Sequence, residues 1–440
     1  MSAADVLHPV LCAVLGPGIA IRVRCWDGSE AGPADAPLRL SLRNRRALRR
    51  LLWAPNELGL ARAYVSGDID AEGDLYDGLA QLDRVVHPEE GAPLATDWAT
   101  KRAGLKAALR LGAIGPPPKP PAEEVRLHGR LHSLRRDADA IAHHYNVGND
   151  FYALVLGSTM TYSCAYWAAD PGRSYTLDEA QIAKCDLVAR KLGLTEGMRV
   201  LDVGCGWGSF VLHAAHKYGV RAVGVTLSEA QAEFARERAK EDGLADLVEI
   251  RVEDYRDVTD GPYDAIASIG MAEHVGMSML PTYAADLFAL LRPEGRLLNH
   301  AISRRPERAS DKLGALKKRP FTKGAQYEKS SFIDRYVFPD GELEPIGVMV
   351  NAIEDAGFEV RDVESLREHY ALTLRAWVEN LEARWDEAVR LASPGRARVW
   401  RLYMAASALT FSAGRIGVNQ VLAVKPGPRG SSGMPRIRSF

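Results

Sequence analysis

The chain has no C-x-x-C pair among its five cysteines (Cys12, Cys25, Cys164, Cys185 and Cys205), and five is an odd number. A zinc cluster built on paired thiolates and a fully paired disulfide framework are therefore both excluded, and a reducing compartment is the expectation. Net charge is nearly absent as well, because 56 Lys and Arg against 57 Asp and Glu leave −1. Without a global basic field, nucleic acid is not an expected partner. No apolar run approaches the roughly 20 residues of a membrane-spanning helix. The first residues, MSAADVLHPVLCAVLGPG, carry Asp5 and no basic segment, unlike a secretory signal. These absences predict a cytoplasmic protein that is still able to visit a membrane surface.

The 440 residues, 47% hydrophobic and 26% charged, exceed what one core usually holds, so more than one domain is expected. The clearest boundary is Gly115-Pro-Pro-Pro-Lys-Pro-Pro121, since consecutive prolines form neither helix nor central strand. We expect an N-terminal α+β domain at 1–114, a linker at 115–122, a larger domain at 123–425 and a disordered Gly/Pro/Ser/Arg-rich tail at 426–440. In the first domain, Leu38–Trp53 carries six arginines and no acid. Its second half reads as a helix with Leu48, Leu51, Leu52 and Trp53 clustered, which suits an anionic lipid surface and equally an ordinary helix with a solvated basic face. The stretch Ser303–Lys329, with eight basic residues between Arg304 and Lys323, reads as a surface loop or a phosphate-facing lid.

Downstream of the prolines, Leu134–Asn149 reads as a helix, and Thr176 and Glu179 form a capping box for another that stops at Gly193. Strands at Arg199–Val203, Val220–Val225, Leu247–Val252, Tyr263–Ile269 and Gly295–Ile302 then alternate with helices. This predicts an α/β fold with a mostly parallel doubly wound sheet, whose ligand lies at the carboxyl ends of the strands. The first of those strands runs into VLDVGCGWGSF at 200–210. A dinucleotide site wants G-x-G-x-x-G and an acid after the second strand. Here the spacing is G-x-G-x-G, the acid Asp202 lies inside the first strand, and Thr226-Leu-Ser-Glu-Ala-Gln231 follows the second. The pattern favours S-adenosylmethionine (SAM) over a nicotinamide cofactor. After later strands come Glu253 with Asp254, Gly270 with Glu273 and His274, and His300 in an otherwise apolar strand. Adjacent titratable groups at a strand end are more than a solvated face needs.

The segments YSCAYW, LDVGCGWG, GVTLS, SIGMAEHVG, FIDRYVFPDGEL, REHYALTLRAW and NQVLAVK occur in this order. Together they closely resemble the cyclopropane-fatty-acyl-phospholipid synthase family of SAM-dependent methyltransferases, over Ala138–Lys425. FIDRYVFPDGEL, HYALTLRAW and LYMAAS look most like the actinobacterial branch that includes methylene-fatty-acyl-phospholipid synthases. The resemblance implies a Rossmann-like class I fold, a lipid-binding N-terminal domain, and SAM held by Tyr162, Ser163, Gly204, Gly206, Thr226, Leu227, Gln231, Glu253 and Ile269, to which the strand reading adds Asp202. It also implies a bicarbonate base at Cys164 (through its backbone), Glu273, His300 and Tyr336, and no metal. The reaction would be methyl transfer to the cis double bond of an oleoyl-type chain in a membrane phospholipid, giving a cyclopropane or a 10-methylene branch, at the inner face of the plasma membrane. A homo-oligomer and a partner reductase stay open.

An alkene offers no proton to remove for activation, so such a site must align the reactants and stabilise a carbocation with aromatic faces. The candidates are Tyr145, Phe151, Tyr162, Tyr166, Trp167, Tyr336 and Tyr370. Asn146 and Ala272 depart from the family pattern, which more often has Asp and an aromatic residue there. Two other readings remain: a small-molecule N- or O-methyltransferase, and a non-catalytic lipid-binding protein.

Overall fold

A computed structural model describes residues 1–15, 20–36, 38–54, 56–73, 75–86, 98–125, 147–170, 175–306, 332–338 and 341–437. Most of the helix expected at Leu134–Asn149, with Tyr145 and Asn146, and most of the basic stretch Ser303–Lys329 lie outside them. The chain forms two compact units: Met1–Arg126 with Gln326–Pro339 and Trp385–Leu409, and Leu127–Ala325 with Asp340–Arg384 and Thr410–Phe440.

In the first unit, β1 (Ile21–Cys25), β2 (Glu30–Ala31), β3 (Leu38–Leu42) and β4 (Ile69–Glu72) form a sheet in the order β2-β1-β3-β4. Strand β1 buries Ile21, Val23 and Cys25 and turns Arg22 outward to Glu30, the period-2 alternation of a half-buried strand. The arginine-rich stretch divides into β3 and the helix Arg46–Trp53. Its charge is partly neutralised within the unit. Arg50 is buried and donates to Asp68 at 2.8 Å, Arg46 lies 3.2 Å from the same carboxylate, and Arg43 pairs with Asp70. A fully buried carboxylate such as Asp68 persists only with such partners. The proline run lies on this helix, since the carbonyl of Lys119 accepts from Arg50 and that of Gly115 accepts from Trp53 Nε1.

Two later segments join this unit, which a boundary at the proline run alone did not foresee. Arg398 donates to Asp70 Oδ2 at 2.8 Å with its guanidinium 5.1 Å from the Tyr64 ring centre, and Tyr336 bonds Glu124. These polar contacts link residues more than 200 positions apart, and no local periodicity signals them.

The second unit holds a seven-stranded sheet in the order β10-β11-β9-β8-β5-β6-β7. Its strands are β5 (Arg199–Val203), β6 (Arg221–Thr226), β7 (Val248–Val252), β8 (Tyr263–Ile269), β9 (Leu291–Arg304), β10 (Glu359–Ser365) and β11 (Ile416–Val424). Strands β5 to β9 are parallel, and β11 runs antiparallel to both β9 and β10. Helices Leu177–Leu192, Ser209–Tyr218 and Glu229–Glu241 cover one face with Val188, Phe210 and Ala235. Helices Leu280–Leu290 and Ile346–Asp355 cover the other with Leu287 and Ile353. The helix Leu177–Leu192 starts at the expected capping box and ends at Gly193 with φ 66°.

The C-terminal region has three helices, Arg367–Ala383, Trp385–Ala392 and Pro394–Ser412. Ser393, at φ 94°, marks the second break. Residues 426–437, expected to be disordered, are held by Arg296 donating to the Gly433 carbonyl and Arg361 donating to Ser432 Oγ.

Replacing Asp68 with Ala leaves the Arg50 guanidinium buried without its counter-charge. We expect a loss of about 3–5 kcal/mol of unfolding free energy in urea titration; a loss below about 1 kcal/mol would contradict the assigned role.

Candidate active site

The strand β5 is apolar and fully buried at Val200, Leu201 and Val203. The chain then turns through Gly204, Gly206 and Gly208, all at positive φ (79°, 55° and 82°), a region glycine enters without steric cost. The amides of Gly204 and Cys205 donate to the Val225 carbonyl, which ties the turn to β6. A Cβ on Gly208 would stand 2.9 Å from Ala235 Cβ, so the helix Glu229–Glu241 presses on the turn there. A Cβ on Gly206 would meet nothing within 4 Å, leaving an open side on which a ligand can rest. Asp202 is 2% exposed and its Oδ1 has no hydrogen-bond partner among the described residues. Burial pushes its pKa up to about 7 against the pull of the Lys184 charge. An unpartnered buried carboxylate beside an open glycine turn fits the cationic groups of SAM.

At the next strand ends, Thr226 donates to Gln231 Oε1 at 2.9 Å, and the Glu253 amide donates to the Thr226 carbonyl at 3.1 Å. Ser228 caps the helix by accepting from the Gln231 amide, but the Gln231 side chain turns back to Thr226. Leu227 is exposed, and Glu253 lies 3.6 Å from Arg251.

The loop at 161–167 is pinned from two helices. Gln181 donates to the Ser163 carbonyl at 2.9 Å, and the buried Lys184 ammonium donates to Ser163 Oγ at 3.1 Å. From the helix Arg367–Ala383, Thr373 Oγ1 accepts from the Ala165 amide and from Trp167 Nε1, and His369 accepts from the Trp167 amide. Cys164 is fully buried and its thiol is pushed up by burial, so it is no thiolate nucleophile. Tyr162 faces Tyr152 and Trp377 at ring-centre distances of 5.8 and 5.4 Å, and Tyr370 lies 6.0 Å from Trp377. Trp207 of the glycine turn joins this cluster, 4.6 Å from Tyr152.

Past β8, the short helix Ala272–Val275 carries Glu273. One oxygen, Oε1, accepts from the Ile302 amide on β9 at 2.7 Å, while Oε2 is buried without a partner among the described residues. Burial raises the Glu273 pKa to about 7, although that amide pulls it down. Ile269 pairs directly with His300 on β9, and the Gly270 amide donates to the His300 carbonyl at 2.8 Å. Burial, assisted by the Lys184 and Lys191 charges, lowers the His300 pKa to about 3. Its Nδ1 faces Gln420 on β11, and its Nε2 is also buried without a partner among the described residues. A pocket beside Glu273 is lined by Ala272, Leu280, Ala301, Ile346 and Met349.

One unit thus carries Tyr162, Ser163, Cys164, Asp202, Gly204, Gly206, Thr226, Leu227, Gln231, Glu253, Ile269, Glu273 and His300. The geometry above joins Glu273 and His300 through β8 and β9. Tyr336 belongs to the other unit, where its hydroxyl donates to Glu124 and Arg62 pairs with the same carboxylate. Lys184, Gln181, Gln420, Tyr152, Trp207 and Trp377 were missed from sequence. Gln420 lies in the quoted NQVLAVK segment, while Gln181 and Lys184 look like ordinary polar positions of a surface helix. Among the described residues no group of three or more His, Cys, Asp or Glu could hold a metal.

The parallel sheet, the glycine turn at its first strand and the buried acid beneath it define a SAM-dependent methyltransferase of the Rossmann-like class. Residues 132–421 match the family model described as mycolic acid cyclopropane synthetase. The chain is 42% identical over 421 residues to a probable fatty acid methyltransferase of Mycobacterium tuberculosis, covering 94% of this chain and 93% of the relative. It is 35% identical over 332 residues to the cyclopropane-fatty-acyl-phospholipid synthase of Escherichia coli, covering 74% and 79%. The crystal structure of mycolic acid cyclopropane synthase CmaA1 complexed with SAH and CTAB aligns with a TM-score of 0.57 at 34% identity, covering 66% of this chain and 98% of that one. The protein belongs to the mycolic acid cyclopropane synthetase family and is a SAM-dependent enzyme of it.

The raised pKa of Glu273 makes a stability prediction. The native state holds this proton more tightly than the unfolded chain, whose carboxyl titrates near 4.5. The associated stability is complete below that value and is lost as pH rises through 7. Relative to wild type, Glu273→Gln should therefore gain on the order of 1–3 kcal/mol between pH 4.5 and 7.5 in chemical denaturation. A difference that does not change with pH would contradict the buried, unpartnered environment.

Proposed function

We propose that the enzyme transfers a methyl group from SAM to the cis double bond of an unsaturated, oleoyl-type acyl chain in a membrane phospholipid. Proton loss, assisted by bicarbonate, then gives a cyclopropane or a methylene-branched chain. The observation that carries this reading is the pair of buried, unpartnered polar atoms, Glu273 Oε2 and His300 Nε2, at the carboxyl end of a sheet that also carries Asp202 and the glycine turn. An N- or O-methyltransferase acting on a soluble amine or alcohol draws its nucleophile from the substrate's own lone pair, whereas an alkene needs a cation stabilised and a carbon-bound proton removed.

SAM supplies an electrophilic methyl group when it is bound. Asp202 and the open side of Gly206 would receive its cationic portion, and Thr226 with Gln231 the groups beyond the second strand. Tyr162, Trp377 and Tyr370 present aromatic faces that attract a developing carbocation, an effect of about 2 kcal/mol or more when desolvated. Glu273 and His300 would hold bicarbonate, which supplies a base without placing a strong nucleophile against the cation. Cys164 contributes its backbone there; its thiol stays protonated.

Support for membrane docking lies in the helix Trp98–Arg110 of the first unit. It buries Ala107 and Ala108 and exposes Arg102, Leu105, Lys106 and Leu109 on one face. Leu52 and Trp53 are exposed as well. A face that mixes bulky apolar and basic side chains suits an anionic lipid surface, and no described helix is long and apolar enough to cross a membrane. We place the enzyme at the inner face of the plasma membrane. The double variant Leu105→Ser, Leu109→Ser should lower partitioning onto phosphatidylglycerol-containing vesicles on the order of tenfold in a sedimentation assay; unchanged binding would remove this face from the account.

The activity test uses purified protein, methyl-labelled SAM and oleoyl phospholipid vesicles, with the acyl chains read by mass spectrometry. A labelled mass gain in the chain is expected, while label arriving only in a soluble amine or alcohol would replace the proposal. Glu273→Gln should reduce kcat by roughly a hundredfold or more while changing SAM affinity little. Equal losses in both would withdraw Glu273 from the proton-removing step.

A further inference from the structure

We propose that Gln420 is a positioning residue that holds His300 in the tautomer with its proton on Nε2, so that the imidazole donates a hydrogen bond into the site and does not act as the base. The inference deepens the base site proposed above and rests on it for its functional meaning, but it is read from residues of β9 and β11 alone.

Strands β9 and β11 pair antiparallel with Gln420 directly opposite His300. Gln420 is completely buried, His300 is 2% exposed, and the amide nitrogen of Gln420 lies 3.3 Å from His300 Nδ1. The end of the Gln420 amide that faces the ring is its nitrogen, while its Oε1 is buried with no partner among the described residues. With the amide in this orientation Nδ1 accepts, and a neutral imidazole that accepts at Nδ1 carries its hydrogen on Nε2. The ring is kept neutral by its burial and by the charges of Lys184 and Lys191. No described group accepts from Nε2. The sole nitrogen-bound hydrogen of the ring therefore points away from Gln420 and has no acceptor among the described residues.

The chemistry follows. A ring nitrogen that already carries a hydrogen cannot take the substrate's proton; it can only stabilise negative charge. Proton acceptance then stays with the bicarbonate proposed above, which His300 Nε2 would hold by donation and Glu273 Oε2, unpartnered among the described residues, from its other side. Without the amide of Gln420, the ring is free to place its hydrogen on Nδ1 and turn a lone pair toward the bicarbonate oxygen, replacing an attraction by a repulsion.

The test is nitrogen NMR of the full chain labelled with 15N-histidine, free of ligands, with the His300 ring signals assigned by their loss in His300→Asn. Wild type should show Nε2 protonated and Nδ1 bare. Gln420→Glu, whose carboxylate accepts from Nδ1, should move the proton to Nδ1, and Gln420→Leu should populate both forms. In turnover assays titrated with sodium bicarbonate, both variants should raise the KM for bicarbonate roughly tenfold to a hundredfold, with Glu the larger, and leave the KM for SAM within about twofold. Protonated Nδ1 in wild type, or a tautomer indifferent to both substitutions, would overturn the proposal. So would equal rises in the KM for SAM and for bicarbonate, which mark general damage to the fold. Turnover of wild type that ignores bicarbonate would instead overturn the base reading, and the NMR result would decide the tautomer by itself.

Discussion

The site depends on polar atoms that the fold buries and then leaves unmatched. Asp202 Oδ1, Glu273 Oε2 and His300 Nε2 are shielded from solvent, yet none has a partner among the described residues. Burying such a group without a hydrogen bond costs roughly 1–3 kcal/mol, more if it is charged. Three of them at the carboxyl ends of one sheet amount to a sizeable fraction of a typical folding free energy. The surrounding structure has to be strong enough to hold them in place, and the seven-stranded sheet with apolar layers on both faces provides that strength.

How the groups are held explains their division of labour. In each case one part of the side chain is fixed and another is left open. Glu273 is anchored through Oε1 on the Ile302 amide, and His300 through Nδ1 on Gln420. Lys184 brings a buried cation to Ser163 Oγ and draws the Asp202 pKa downward, while its charge, with that of the buried Lys191, helps to keep His300 neutral. A carboxylate, a neutral imidazole and an ammonium group can share so small a volume because their protonation states complement one another. The resulting environment suits a reaction whose transition state is cationic on the substrate and whose final step removes a carbon-bound proton.

Much of this was legible in the chain. Strands β5 to β9 followed from runs such as Val200–Val203 and Tyr263–Ile269 bounded by glycine or acidic turns, and the strand-end rule then placed Gly204, Thr226, Glu253, Glu273 and His300 along one edge. Asp202 stood out because an acid interrupts an apolar strand. Gln181 and Lys184 escaped because a polar residue in an amphipathic helix normally faces water, and only the packing of the 161–167 loop on that helix turns them inward. The arginines of Leu38–Trp53 were read as free charge, whereas Asp68, just before β4, and Asp70 on β4 neutralise several of them. The return of residues 385–409 to the first unit brings Arg398 to Asp70 and Tyr64, contacts too distant in sequence for any local pattern to reveal.

The account's central claim is that Glu273 Oε2 and His300 Nε2 jointly receive a small oxyanion. The most direct measurement is a crystal structure of the full chain grown with S-adenosylhomocysteine and sodium bicarbonate. The account predicts a planar three-oxygen species within hydrogen-bond distance of both atoms. Direct pairing of Glu273 with His300, or water alone between them at saturating bicarbonate, would contradict it.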